Sequence, residues 1–291
     1  MTEPERVVIL GASGFLGRAL HARLSGDGVE VVAHSSRTLD LTRPAAFGVL
    51  DGVLGPETAL VFASALTPDR GQTPATLLTN TMMATNLAAY LDGRRLGGLV
   101  YIGSDAVYGF DNEAVTEDTP VAPAGYYALG KYAGERVMET AARAAAIPLL
   151  ALRVTGVYGP GDSHASYGPN AFARSLARDR SVRIFGAGEE ERDHLYVDDV
   201  AGIAACLLRS GTAGVFNVAT GQSRSFADVV KTLRDLVPYE VAVTSLPRKS
   251  AITHRRFDIA RLTRAVPDFR FTPLPDGLRA TLRAFGAIGG E

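Results

Sequence analysis

Five short runs rich in Val, Ile and Leu alternate with longer Ala- and Leu-rich segments over the first half of this chain. The runs are Arg6–Leu10, Glu30–His34, Ala59–Ala63, Gly98–Ile102 and Leu149–Val154. Each is strand length and largely apolar, the pattern of a strand covered on both faces. Helix patterns separate them at Gly14–Leu24, Pro44–Leu54, Leu77–Leu91 and Tyr126–Ala146. Alternation of this kind builds βαβ units and a parallel sheet with helices on both sides.

Past Val154 the rhythm breaks at the loop GVYGPGDSHASYGP. A helix at Ala171–Arg178, a short strand at Val182–Phe185, a helix at Val197–Arg209 and a strand at Val215–Val218 are expected next. The tail is expected to close as a small α/β lobe.

Composition supports one large folded body. Hydrophobic residues are 46% and charged residues 21% of 291, enough apolar matter for a core and too much for a disordered chain. Acidic and basic residues, 31 against 30, nearly cancel, which argues against a protein that coats nucleic acid. Cys206 is the one cysteine, so neither an intrachain disulfide nor a cysteine metal cluster can form. His164, His194 and His254 lack metal-ligand spacing, and no metal is expected. MTEPERVVIL has no basic n-region or apolar h-region, and no apolar run reaches the ~20 residues of a membrane helix. A cytoplasmic protein with no membrane partner is the expectation.

The segment GASGFLG sets Gly11, Gly14 and Gly17 between the first strand and the first helix. Gly11 permits a tight turn, Gly14 lets a diphosphate approach the main chain, and Gly17 lets the helix pack on the sheet. The helix N-terminus adds free N–H groups. In that context the motif reads as a dinucleotide cradle on a Rossmann-type, doubly wound sheet. Residues 1–155 are then the dinucleotide-binding domain. Residues 156–291 are a smaller C-terminal α/β substrate lobe, with about 193–218 packing back on the first domain.

The second strand ends VVAHSSR, without the carboxylate that would accept the 2′-hydroxyl of NAD. Ser35, Ser36 and Arg37 could instead donate to a 2′-phosphate, so NADP(H) is favoured over NAD(H). Asp40, in LDLT, could meet the adenine amino group or simply form a turn.

Tyr127 and Lys131 stand at i and i+4, on one helix face that Glu135 continues. Tyr126, five residues from Lys131, fits that face less well. A free phenol has a pKa of ~10 and is a poor base at neutral pH. A nearby ammonium favours phenolate, so Lys131 is expected to lower it. Ser104 closes the fourth strand, at the sheet end that faces ligand in doubly wound folds. It could hold a substrate oxygen or cap the next turn.

The ordered set GASGFLG, LDLT, FASALTP, NTMMATNL, YIGSDAVYG, YYALGK, ALRVTGVYGPG, GAGEEERDHLYVDDV and FNVATG resembles the extended short-chain dehydrogenase/reductase family in its NAD-dependent epimerase/dehydratase branch, over nearly the whole length. The resemblance implies that Tyr127 is the general acid/base, Lys131 its electrostatic partner on the nicotinamide ribose, and Ser104 the substrate-oxygen anchor. It places Ser13, Phe15, Leu16, Leu41, Ala63, Ser64, Ala65, Asn80 and Val154 around the cofactor. Asp105 and Ala106 fall beside the substrate.

The GAGEEERDHLYVDDV stretch suggests a nucleotide-sugar enzyme, with Arg192 on the substrate diphosphate and Arg256 supplementing it. The alternative for Arg192 is an ion pair with Glu189, Glu190 or Asp193. Two departures matter. Ser104-Asp105-Ala106 lacks the glutamate of the dehydratase acid pair, and Gly156 replaces the asparagine of the LRxxNVYG motif.

A 4-keto sugar reductase using NADPH is therefore expected. A 4-epimerase that recycles NAD and a non-catalytic NADP-binding sensor are the alternatives. Relatives that reduce small aldehydes, flavonoids or steroids keep the substrate class open. The helices at Leu77–Leu91 and Tyr126–Ala146 are the expected faces of a homodimer.

Overall fold

The computed structural model describes residues 3–109, 114–163, 167–248 and 250–289. The first half runs β1 (Arg6–Leu10), α1 (Phe15–Gly26), β2 (Glu30–His34), β3 (Thr58–Phe62), α2 (Pro74–Leu91), β4 (Gly98–Ile102), α3 (Tyr126–Ala144) and β5 (Leu149–Val154). The second half runs β6 (Gly156–Tyr158), α4 (Pro169–Asp179), β7 (Ser181–Phe185), β8 (Glu191–Tyr196), α5 (Val197–Arg209), β9 (Gly214–Val218), β10 (Ser223–Ser225), α6 (Phe226–Leu236), β11 (Ala242–Leu246), α7 (Ala260–Ala265) and α8 (Leu274–Ala284).

The central sheet has six strands in the order β2-β1-β3-β4-β5-β9, and every pair is parallel. Growth of the sheet reverses at β1. The chain adds β2 on one side and then crosses to place β3 on the other. Loops leaving β1 and β3 therefore part, and a crevice opens at their C-terminal ends.

Alternation along each strand divides the core. Val7 and Ile9 face α1 and α5, while Val8 and Leu10 face α2 and α3. The Val- and Leu-rich runs were legible as strands because both layers bury them.

A second, smaller assembly holds the three strands β10-β8-β6 and the parallel pair β11-β7. Helices α4, α6 and α8 pack on it around Phe172, Leu176, Val229, Leu233, Leu278 and Leu282.

One expected helix is not an α-helix. Residues Pro44–Leu50 form a 3-10 turn, which ends well before Leu54. Its buried residues are Phe47 and Leu50, three apart, which suits three residues per turn. Asp51, extended at φ −64° and ψ 130°, then carries the chain out of helical geometry.

A buried ion pair ties α3 to the sheet. Arg153 of β5 donates to the Glu135 carboxylate of α3 through Nη2 at 2.6 Å and Nε at 3.0 Å. Its Nη1 reaches the Tyr108 phenol at 2.7 Å, and Tyr108 in turn donates to Asn217 Oδ1 of β9 at 2.8 Å. Removing one partner strands the other charge away from water. Arg153→Met should lower unfolding free energy by about 3–5 kcal/mol, measured by urea denaturation; a loss below about 1 kcal/mol would mean that Glu135 finds other compensation.

Candidate active site

The glycine turn is built by crowding. Gly11 has φ +93°, and a Cβ there would lie 2.7 Å from Ser64 Oγ. A Cβ on Gly17 would drive into the Gly11 carbonyl. Gly14 caps α1 with no side-chain hydrogen bond to its first turn, so those N–H groups are left for a ligand. Gly14, Phe15, Leu16 and Gly17 line a cleft of about 500 Å³. Ala63 and Ala65, after β3, line it too. Ser64 backs the turn at Gly11 and is not part of the lining.

The end of β2 is more exposed. Ser13 and Ser35 line a separate hollow with Arg18, His21 and Thr38. Ser36 and Arg37 lie on the exposed turn beyond it. Asp40 takes its turn-forming role: Oδ1 accepts from Thr42 N at 3.0 Å and Thr42 Oγ1 at 2.7 Å. Those bonds hold its pKa below the usual carboxylate range. The Leu41 side chain is buried in the core, and its carbonyl accepts from Asn86.

Asn80 is brought near the cleft as a clamp. Its side-chain amide accepts from Leu66 N at 2.7 Å and donates to Leu66 O at 3.0 Å, which holds the loop after β3. Val154 is buried in the core at the end of β5.

Ser104, Tyr127 and Lys131 converge. Ser104 and Tyr127 both line the cleft, near enough for the Ser104 hydroxyl to favour the ionised phenol. Ser104 Oγ also accepts from Ala106 N at 3.2 Å, so the turn-capping role and the cleft-facing role coexist. Lys131 is 4% exposed, donates to the Ile102 carbonyl, and lies 4.8 Å from the Tyr101 ring centroid. Tyr126, one residue before Tyr127, is 39% exposed.

The expected depression of Tyr127 does not occur. Burial pushes the phenol up to about 12, and the Asp105 charge adds to it, against the Ser104 hydrogen bond. Desolvation outweighs a cation whose ammonium is turned to a carbonyl. Burial likewise takes Lys131 down to about 8, against the opposing charge of Glu135.

Substrate-end residues follow strand periodicity. Arg192 and His194 share a face of β8, and both line the cleft. Arg192 feels the charge of Glu190, one of the acids considered from sequence. It donates to Glu191 O at 2.8 Å, Thr253 O at 2.7 Å and Thr253 Oγ1 at 3.1 Å.

Arg256 is a correction. It points away and bonds Glu191 Oε2 at 2.7 Å, and it is absent from the lining. The cleft residue is Arg255, 3% exposed, bonded to Asp105 Oδ2 at 3.2 Å and to the Tyr108 and Gly109 carbonyls at 3.1 Å. In an extended segment Arg255 and Phe257 share a side that Arg256 does not. The alternation of the HRRF run carried that signal.

Asp105 and Ala106 line the cleft, as does Gly156. Sequence reasoning missed Arg255, Asn170, Tyr167 and Phe226, all in the lining. Asn170 accepts from Gly159 N at 3.0 Å and donates to Asp162 at 2.8 Å. His194 Nε2 is buried without a partner, and burial lowers its pKa to about 4. His254 Nδ1 accepts from Glu191 N at 3.4 Å, and His164 lies outside the described residues.

The Lys131 shift has a stability consequence. Its folded pKa lies below the unfolded value, so between about pH 8 and pH 10 the unfolded chain binds more protons and stability rises with pH. Relative to Lys131→Met, the wild type should gain about 2 kcal/mol over that range. Parallel pH dependences in the two proteins would show Lys131 to be solvated.

Three kinds of comparison agree with this geometry. The family model of the NAD dependent epimerase/dehydratase family matches residues 7–219. The chain is 29% identical to a UDP-glucose 4-epimerase of Mycolicibacterium smegmatis, over 96% of this chain and 98% of that protein. It is 28% identical to a dTDP-glucose 4,6-dehydratase of Streptomyces niveus, over 74% and 73%. Among solved structures it resembles RMD of Pseudomonas aeruginosa complexed with NADPH, with a TM-score of 0.86, 26% identity and coverage of 97% and 99%. The fold also matches UDP-glucose 4-epimerase of Thermus thermophilus in complex with NAD, with a TM-score of 0.84, 22% identity and coverage of 96% and 98%. No described helix is long and apolar enough to cross a membrane. A six-stranded doubly wound sheet with a crevice at its switch point, and a family match across the sheet and most of the cleft, make this chain an enzyme of the NAD dependent epimerase/dehydratase family, a sugar-nucleotide branch of the extended short-chain dehydrogenase/reductases.

Proposed function

We propose that the chain is an NAD(P)-dependent oxidoreductase acting on a nucleotide-linked sugar, as a 4-keto sugar reductase with Tyr127 as general acid. The observation that carries this is one cleft holding the glycine turn, the Ser104–Tyr127 pair and two arginines, Arg192 and Arg255. The turn fits a dinucleotide diphosphate because the first turn of α1 lacks a side-chain cap and the three glycines leave no Cβ in the way.

When bound, the nicotinamide supplies the hydride chemistry. The chain's own residues do the rest. Ser104 and Tyr127 hydrogen-bond the sugar oxygen, and Tyr127 gives that oxygen its proton in the reductive direction. Lys131 stands one helical turn below, where its charge favours the phenolate left behind. Arg192 and Arg255 offer the forked donors that two phosphates require.

NADP(H) is favoured because no carboxylate closes β2. Ser13, Ser35, Arg18 and His21 line the hollow beside it, and Arg37 stands on the adjoining turn. The NADPH-bound structural neighbour supports the same choice. A 4-epimerase with recycled NAD is the second reading, favoured by the full-length likeness to a UDP-glucose 4-epimerase.

A homodimer is proposed on α2 and α3, which pack together and expose Leu78 (64%), Met82 (45%) and Leu129 (40%). Spacing by four places Leu78 and Met82 on one side of α2.

Three experiments test these assignments. Nucleotide released from freshly purified, denatured protein, identified by mass spectrometry, should be NADP, or the empty protein should prefer NADPH; stoichiometric NAD would favour the epimerase. On keto nucleotide sugars, Tyr127→Phe should lose about 10²–10⁴ in turnover with cofactor binding intact, and retained turnover would remove Tyr127 as proton donor. For assembly, sedimentation should give a two-subunit mass that Leu78→Asp with Met82→Asp reduces to one. A single-subunit mass for the wild type would overturn the dimer.

A further inference from the structure

The Lys131 ammonium, bonded to the Ile102 carbonyl, also lies over the Tyr101 ring, 4.8 Å from its centroid. Tyr101 belongs to β4, is 3% exposed and packs in the core layer shared with α2 and α3. Its hydroxyl donates to the main-chain carbonyl of Lys131 at 2.8 Å. Its register neighbour on β3, Phe62, packs edge-on against the ring, with centroids 5.6 Å apart and planes at 64°. One side chain thus grips Lys131 twice, by its ammonium and by its backbone, and is itself braced from the sheet.

Gly134 makes room for that grip. A Cβ there would drive into the Tyr101 hydroxyl and come 3.1 Å from Cζ. Glycine in a helix interior weakens the helix, and α3 carries it where the Tyr101 phenol abuts the helix.

We propose that Tyr101 is a positioning residue: its ring face keeps the Lys131 ammonium charged and fixed one helical turn from Tyr127, where the proton-transfer step needs a whole positive charge. This rests on the oxidoreductase reading above, in which Lys131 stabilises the phenolate of Tyr127.

A ring face stabilises a cation in a dry site through its quadrupole. Unlike a carboxylate it brings no net negative charge, so the field of the ammonium at Tyr127 is not cancelled. The Ile102 carbonyl acts likewise. Burial works against the ammonium and takes Lys131 down to about 8, so a modest loss of support discharges it near neutral pH. The charged and titratable groups around Lys131 come from each packed element. They are Glu135 on α3, Arg153 of β5, which engages Glu135, and the two phenols Tyr101 and Tyr127. Asp105 acts on Tyr127, and α2 carries no charged side chain. Burial holds the Tyr101 phenol well above its ordinary value, so Tyr101 stays neutral across the range that matters here.

The test separates ring from hydroxyl. Tyr101→Leu removes both, and Tyr101→Phe keeps the ring. The first readout is stability against pH by urea denaturation, with Lys131→Met made in each background so that the difference reports Lys131 alone. Folded Lys131 lies below its unfolded value, so its contribution rises with pH from the folded value upward. That rise should set in at about pH 8 in the wild type and in Tyr101→Phe, and about one pH unit lower in Tyr101→Leu. The second readout is turnover of keto nucleotide sugars by the holoenzyme. At about pH 8 Tyr101→Leu should run about 5-fold below the wild type, with its alkaline fall displaced downward by the same unit, while Tyr101→Phe keeps the position of that fall.

An onset that stays put in Tyr101→Leu, or that drops in Tyr101→Phe as well, overturns the proposal. So does turnover lost equally at every pH, the mark of a merely structural role. Should Tyr101→Leu fold poorly, Gly134→Ala must lower the onset by pushing the phenol aside, and adding Tyr101→Phe must restore it. An unmoved onset in Gly134→Ala, or no restoration, overturns the proposal equally. If the wild type turns over no keto nucleotide sugar, the oxidoreductase reading falls, and the stability onset still decides whether the ring holds the ammonium.

Discussion

The buried pair of Glu135 and Arg153 is the interaction on which the cleft depends. Glu135 lies one helical turn beyond Lys131 and two beyond Tyr127, so whatever fixes Glu135 fixes the whole face of α3. Arg153 is the one arginine of β5, a strand buried on both sides, and its fork meets both Glu135 oxygens and ties α3 to that strand. The network continues through Tyr108 to Asn217 and joins two sheet strands, β5 and β9, to the helix that carries the phenol. An ion pair in such a place adds little net stability over a well-packed apolar pair. Its contribution is geometry, because unpairing either charge is costly and alternative packings are excluded.

The same desolvation sets the chemistry. Lys131 is buried and Tyr127 half-buried on the cleft wall, and loss of water pushes each towards its neutral form. At the other end Arg192 and Arg255 stay seated on main-chain carbonyls. Carbonyl partners orient each guanidinium, and Arg255 is also paired with the Asp105 carboxylate.

Much of this was legible in the chain. Four of the five first-half strands have the bounds their apolar runs imply, and the third is displaced by one residue. Helix spacing chose Tyr127 over Tyr126, and the structure puts the first in the cleft and the second at the surface. The glycine turn was readable because each glycine answers a steric demand made within a few residues. Where the chain misled, a non-local contact decided. Lys131 was expected to lower Tyr127, but its ammonium is taken by Ile102, on a strand distant in sequence. Asn80 carries the loop after β3, a partner fourteen residues away. The stretch at Pro44 looked helical by composition and is a 3-10 turn, because burying Phe47 and Leu50 against the sheet demanded a tighter pitch.

The sequence by itself determined the doubly wound sheet, the phosphate turn and the shared face of Tyr127 and Lys131. All three follow from local periodicity and glycine sterics, which operate over a few residues. Only the tertiary structure decided that Arg255, and not Arg256, enters the cleft, that Asp105 joins it to Ser104, and that burial holds the proton on Tyr127. Those outcomes depend on which segments meet across 150 residues of chain and on how much water the meeting expels, and neither quantity is encoded in spacing along the chain.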